Sequence, residues 1–328
     1  MTSPKAGGPA GRQAKPVTGI DVRLRAARRA LCVGIGGGGD VVGALAASQL
    51  AVALGCERVV GGLTWERRPV DPVPGPRRLD ELTAARALNT AVALAGPDTT
   101  GPGGFRFAES HMARALGEPT VLVDPNPGPR AVGEALADAA EQLGCDLVLL
   151  VDVGGDVLGH GDEEGLASPL ADAVLLAAAP AIEAAGVATA AAVFGAGCDG
   201  ELTPDEVVER VSEVAAAGGL LGAWAPTPEG VAELERAVEA VPTEASAMAV
   251  RCARGEVGGA AIREGRRVVR LTPVGGLTFF LDCAVTIGSA ARCAAAVAGA
   301  RDLLEADARL RGLGVATELG YESGLPSP

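Results

Sequence analysis

Asp152, Asp156 and His160 follow one another at a spacing of four in LVDVGGDVLGHGDEEGLASPLADA, where Gly154, Gly155, Gly159 and Gly161 free the backbone from regular structure. Carboxylates on loops at strand ends commonly hold a Mg²⁺ or Mn²⁺ ion that bridges to substrate oxygens. Asp40 joins Asp152 and Asp156 as a candidate metal ligand. His160 is the candidate general acid or base, because imidazole titrates near neutral pH. Asp156 and Asp199 are candidate catalytic carboxylates beside it. The plainer reading is an exposed turn whose acids cap a helix starting near Ser168. Four glycines and a histidine exceed what such a turn needs.

A second stretch, LCVGIGGGGDVVGALAAS, passes from an apolar run through Gly36, Gly37, Gly38 and Gly39 to Asp40 and an apolar helix. Backbone N–H groups at such a helix start carry about +0.5 charge and accept an anion readily. Gly34, Gly36 and Gly39 also match G-x-G-x-x-G between strand and helix, the context of a dinucleotide site. No acid ends the next strand, RVVGGL, and the loop lacks the lysine of a Walker motif. A tight turn, an anion site and a nucleotide site therefore all stay open. Glu66, Arg67 and Arg68 follow the second strand and are candidate contacts to an anionic substrate.

Strand ends are where open parallel sheets bind ligands, near a topological switch point. If the loops after four predicted strands converge, the crevice collects Asp40, Glu66, Asp152, Asp156, His160, Asp162, Glu163, Asp172, Asp199 and Glu201. His111, beside Glu109 and Ser110 on a predicted helix, reads as a packing residue. Cys198 is a nucleophile only if a histidine partners it. Asp199 and Glu201 read as ligands or helix caps, and Thr243, Glu244 and Ser246 as a helix start.

The elements that must position these residues follow a regular order. Residues 31–35 read as a strand, 41–54 as a helix and 58–63 as a strand, before a proline-stiffened loop. Residues 79–94 read as strand or helix, and 96–105 as a glycine-rich loop leading into the helix of His111. Strand 120–124, helix 128–143 and strand 146–152 follow; the last is apolar throughout, as buried parallel strands are. Helix 169–185, strand 187–194 and a helix capped by Thr203 and Glu206 come next. This alternation predicts an α/β fold: a doubly wound, largely parallel sheet with helices on both faces, a Rossmann-like three-layer sandwich. Beyond Leu221 the order is less regular, with helices at 229–241 and 244–255, strands at 268–271 and 277–282, and a final Ala-rich helix at 290–311. The sequence reads as one domain over 21–315, between a disordered tail at 1–20 and a C-terminal tail at 316–328.

Composition excludes several classes. The chain has 328 residues, a net charge of −13 and only 2% aromatic residues. A nucleic-acid binder needs a basic face and stacking platforms, so no nucleic-acid partner is expected. The seven cysteines form no C-x-x-C pair, which predicts reduced, mainly buried thiols and a cytoplasmic location. No apolar run reaches the ~18 residues of a membrane span. A homo-oligomer is compatible with all of this.

The motifs VGIGGGGDVVGA, GGLTWERRPVDPVPGPR, LVDVGGDVLGHGDEEGLASPLADA, VFGAGCDGELTPDE and PTEAS together resemble the domain of unknown function 1152 family of prokaryotic proteins, over residues 31–282. The resemblance implies one α/β domain and groups these loops as one signature; it implies no particular reaction. The G-G-D of Gly154, Gly155 and Asp156 is also similar to the D-glutamate cyclase fold group. That likeness implies metal-assisted lyase or lactam-forming chemistry on a small carboxylate. The expectation is a Mg²⁺- or Mn²⁺-assisted lyase or transferase acting on a small phosphorylated or carboxylated metabolite. A nucleotide- or NAD(P)-dependent enzyme is the alternative, and a non-enzymatic ligand-binding protein the third.

Overall fold

Apolar runs that alternate faces become the strands of one sheet in the computed structural model, which describes residues 18–324. The strands are β1 (Arg29–Gly34), β2 (Glu57–Leu63), β3 (Thr83–Ala87), β4 (Val92–Thr100), β5 (Thr120–Val123), β6 (Leu147–Val153), β7 (Ala188–Phe194), β8 (Leu220–Trp224), β9 (Gly258–Ile262), β10 (Arg267–Leu271) and β11 (Thr278–Leu281). Nine of them form one sheet in the order β3-β4-β5-β2-β1-β6-β7-β11-β8, while β9 and β10 pair apart as a hairpin. The five central strands, β5-β2-β1-β6-β7, are parallel. Both outer pairs run antiparallel.

Successive side chains of a strand point to opposite faces. Leu31 and Val33 of β1, with Val148 and Leu150 of β6, pack into one layer. Ala30 and Cys32, with Leu147, Leu149 and Val151, pack into the other. The helices Val41–Ala53, Ala108–Leu116, Pro228–Ala240 and Ala245–Ala253 cover this second face. Gly128–Gln142, Leu170–Leu176, Pro204–Ala216, Arg292–Val297 and Leu303–Gly312 cover the first. The result is the three-layer α/β sandwich that the alternation predicts. No helix among the described residues is long and apolar enough to cross a membrane.

Several elements differ from the expectation, each for a local reason. Residues 79–94 open with a single 3-10 turn and then become the β3–β4 hairpin, closed by Asn89, whose side-chain oxygen accepts the Ala91 and Val92 amides. Strand β4 runs on to Thr100 through part of the expected glycine-rich loop, and Thr99 bonds back to Gly96 and Ala84 there. The expected helix at 169–185 breaks into Leu170–Leu176 and Ala179–Ala184, with Pro180 in the first turn of the second piece, where a missing N–H costs least. The Ala-rich helix at 290–311 likewise breaks before Asp302, which caps a new helix by accepting the Glu305 amide at 2.8 Å. Thr317 caps a further helix, Glu318–Glu322, so the expected C-terminal tail is docked structure at least to Gly324. The expected N-terminal tail lies mostly outside the described residues, but Ile20–Ala26 is a helix, tied down by Arg23 to Asp282 at 2.7 Å.

From β1 the chain steps to β2 and β5 on one side, and later from β6 to β7 on the other. The carboxyl ends of β1 and β6 therefore form the topological switch point. Close approach there is enforced at Gly34, where a Cβ would lie 2.4 Å from the carbonyl carbon of Asp40. Forcing a methyl into such a contact costs about 1–3 kcal/mol. Gly34→Ala is expected to lower the urea midpoint accordingly, and an unchanged midpoint would show that the strand and the following loop are not locked together.

Candidate functional site

The glycine loop after β1 folds inward. The Gly36 amide donates to Asp40 Oδ2 at 2.9 Å, and the Gly38 amide donates to the Trp65 carbonyl at 2.9 Å. A side chain at Gly36 would strike Asp40 Oδ2 at 2.6 Å and Asp172 Oδ2 at 3.0 Å. At Gly39 the equivalent space is filled by Thr243, and Ser246 donates its hydroxyl to the Gly39 carbonyl at 3.1 Å. The PTEAS stretch thus backs the loop as well as starting a helix. Of Gly36 to Gly39, Gly38 alone faces open space. The loop spends the Gly36 and Gly38 amides on its own organisation, which withdraws those two from any anion there.

Around this loop the fold gathers carboxylates. Asp152 ends β6, Asp40 precedes the helix Val41–Ala53, and Asp172 lies in the first turn of Leu170–Leu176. Each offers an oxygen within 4.8 Å of the others. Asp152 and Asp172 are each 1% exposed, and neither oxygen of Asp152 nor Oδ1 of Asp172 has a hydrogen-bond partner. Burial drives the Asp152 and Asp172 carboxyls well above the usual carboxylate range, reinforced at Asp152 by Asp40 and Asp199 and at Asp172 by Asp152 and Asp40. Asp40 is pushed up to about 7 by burial, against the pull of the Gly36 amide and Arg67.

Asp156 falls into an adjoining group with Asp199 and Glu201 rather than with Asp40. Burial and the neighbouring acids raise Asp156 well above its ordinary value, and burial lifts Asp199 to about 7. Glu201 is saturated: it accepts the Ala167 and Ser168 amides at 2.8 Å and lies 3.4 Å from Arg267. Asp199 accepts the Glu201 amide at 3.2 Å. This second group ties two loops together, with donors already in place.

His160 is placed differently from its sequence reading as acid or base at the cluster. Its Nε2 lies 2.9 Å from Glu213 of the helix Pro204–Ala216, and its amide donates to Glu163 at 2.8 Å. Glu163 also accepts the Gly161 amide and pairs with Arg210 at 3.3 Å. Cys198 likewise meets no histidine; its sulfur lies 3.8 Å from that of Cys252, and burial helps raise its pKa.

Arg67 is the cation at the acidic centre. Its guanidinium donates to the Gly36 carbonyl at 2.6 Å, stacks 4.7 Å from the Trp65 ring centroid and pairs with Glu318 at 3.4 Å. Glu318 in turn accepts the Leu170 and Ala171 amides at the start of the helix that carries Asp172. Glu322 accepts the Trp65 indole N–H at 3.1 Å. Arg68 is exposed and reaches the Glu322 carbonyl instead of the acids.

Glu66 turns to the other side, accepting the Ala108 amide at 2.5 Å, and burial pushes it up to about 7. Glu109, fully buried with both oxygens unpartnered, presses on the bare α-carbon of Gly62 and is raised by burial and by the charge of Glu66. The sequence reading missed Glu109, Glu318 and Glu322. The one available signal was Gly61-Gly62 at a strand end, which marks a close approach without saying by what.

The family model described as protein of unknown function (DUF1152) matches residues 31–325. The chain is a member of that family. No curated protein and no solved structure matches it significantly.

The raised acids make stability depend on pH in a fixed direction. Asp40, Glu66, Asp199 and Glu318 are each held at about 7 by burial, against about 4 in an unfolded chain. Between those values the folded chain keeps protons that the unfolded chain releases, so their stabilising contribution is full at low pH and lost as pH rises through 7. Glu163, Glu213, Glu233 and Glu305 are lowered and act below their ordinary 4.5, outside that window. The melting temperature of the metal-free protein is expected to fall between pH 5 and 7; a flat or rising profile would show that these carboxyls ionise freely in the fold.

Proposed function

We propose that the chain is an enzyme that holds a divalent cation, Mg²⁺ or Mn²⁺, on Asp40, Asp152 and Asp172 and acts on a small anionic metabolite. The observation that carries this reading is Asp152, with two unpartnered oxygens on a side chain 1% exposed. An ionised carboxylate taken out of water without a partner costs several kcal/mol. Such a group beside Asp172, with one unpartnered oxygen, and Asp40, all with oxygens within 4.8 Å of one another, suits a bound cation. An all-oxygen carboxylate set fits hard ions of the Mg²⁺ and Mn²⁺ type rather than zinc. Such an ion supplies Lewis-acid polarisation of a substrate oxygen.

The protein's own groups would do the rest. The Gly36 amide and Arg67 fix Asp40 and the loop beside it. Glu66 and Asp199, both held at about 7, are poised to give or take a proton near neutral pH, a role His160 leaves vacant by facing Glu213. Asp156 buttresses Asp152 from the neighbouring group. A lyase or transferase reaction suits this set. The seven buried free thiols support a reducing cytoplasmic setting.

The test is Mn²⁺ binding, followed by electron paramagnetic resonance, in the intact protein and in Asp152→Asn and Asp172→Asn. Each variant is expected to lose at least tenfold in affinity. Their metal-free melting temperatures should match or exceed that of the parent, since each replaces a buried ionisable carboxyl crowded by other acids with a neutral amide of the same shape. Parent-like Mn²⁺ affinity in both variants overturns the assignment.

A further inference from the structure

A cleft of about 140 Å³ opens beside the acidic centre, lined by Glu66, Val70, Arg106, Ala108, His111 and Pro242. We propose that this cleft is the subsite for the oxyanion end, carboxylate or phosphate, of the small substrate, with Arg106 and His111 as its recognising side chains. The proposal rests on the metal reading above for what lies at the other end of that substrate.

Size is the first argument. The cleft is well below the roughly 300–1,000 Å³ of drug-sized ligand pockets, so it suits one functional group rather than a dinucleotide. Charge is the second. Arg106 is exposed and pairs with no carboxylate among the described residues, in a chain carrying a net charge of −13. His111 sits close enough to Arg106 and Arg114 for their charges, after burial, to lower its pKa. Arg114 is offset by Asp98 at 3.4 Å, but Arg106 has no carboxylate partner among the described residues, and a guanidinium so placed beside an imidazole is relieved by an anion set between them. Guanidinium is well shaped for this, since its fork matches carboxylate and phosphate oxygens.

Continuity with the centre is the third. Glu66 forms part of the cleft lining and is 6% exposed. Behind it stands Glu109, with two unpartnered oxygens, which feels the charges of both Glu66 and Asp40. A row of carboxyls thus runs from the cleft through Glu109 to Asp40. On the opposite wall, Pro242 is followed by Thr243, the residue seated against Gly39. A substrate anchored by its oxyanion at Arg106 and His111 would lie against Glu66, the end of this row that the cleft exposes. Burial holds Glu66 at about 7, so it can take up a proton there rather than repel the oxyanion.

Because the chain has only two histidines, a histidine-labelled sample gives two ring signals, and His160→Gln assigns them. The metal-free full chain is titrated with inorganic phosphate and separately with malonate, against sodium chloride at matched ionic strength. Saturable movement of the His111 signal with either anion, at least fivefold weaker in Arg106→Gln, is the expected result. Response to phosphate alone assigns a phosphorylated substrate, and response to malonate alone a carboxylated one. A His111 signal that neither anion moves beyond the chloride control, or that moves equally in Arg106→Gln, overturns the proposal. Arg106 is exposed, and a thermal melt of Arg106→Gln verifies its fold. Mn²⁺ binding is measured on the same parent sample, so failure of this subsite and failure of the metal centre read out separately.

Discussion

Carboxylates withdrawn from water must find protons, donors or cations, and that demand organises the switch point of this fold. Asp40, Asp152, Asp156, Asp172, Asp199 and Glu109 are all buried near the carboxyl ends of the central strands. Water would solvate each for nothing. The protein answers differently around the cluster: Glu201 receives amides and a hydroxyl, Glu318 receives a helix start, and Asp40 receives one glycine amide. Asp152 receives no well-formed hydrogen bond, only the weaker pull of the Gly155 amide and the Asp156 carboxyl. The contrast among neighbours of the same chemistry is what separates acids that build structure from acids held in reserve.

Arg67 is the hinge pin of that arrangement. Arginine keeps its charge at any physiological pH, and here it is held by a carbonyl, an aromatic face and two carboxylates from the helix Glu318–Glu322. It thereby joins the glycine loop, the end of β2 and a helix far along the sequence. The helix of Asp172 is oriented through the same network, since Glu318 caps its start. Removing either glutamate would free a permanent positive charge next to the acids. The local balance is thus set partly by residues far along the sequence that are not themselves members of the cluster.

Much of the architecture was legible because it obeys local rules. The apolar run of β6, the capping box at Thr203 and the strand-to-helix glycine loop each carry their signal within a few residues. Asp40 and Asp152 could be picked out as acids at strand ends, and Asp172 could be placed in the crevice without its role. Long-range pairings were not legible. Nothing around Glu318 in VATELGYE distinguishes a buried cap from a solvated tail, and Glu109 looks like any acid in a first helical turn. The same holds for His160, whose spacing from Asp156 suggested a shared site until Glu213, 53 residues on, proved to hold its ring. The strand at 277–282 was legible as β11, but β8 and the antiparallel pairing of the two were obscured for the same reason: their registry depends on partners distant in sequence.

The bare α-carbons at the cluster have a consequence for descent. Gly36 lies under Asp40 and Asp172, Gly62 under Glu109, and Gly154 under Asp199. The inner wall of the centre is therefore main chain, which point mutation cannot reshape except by adding bulk that does not fit. New bulk has little room there. It has room at the cleft, where Arg106, His111 and Pro242 line open space. On the proposed reading, a lineage built on this fold would keep its inner acids and glycines nearly fixed while selectivity drifted along that outer rim.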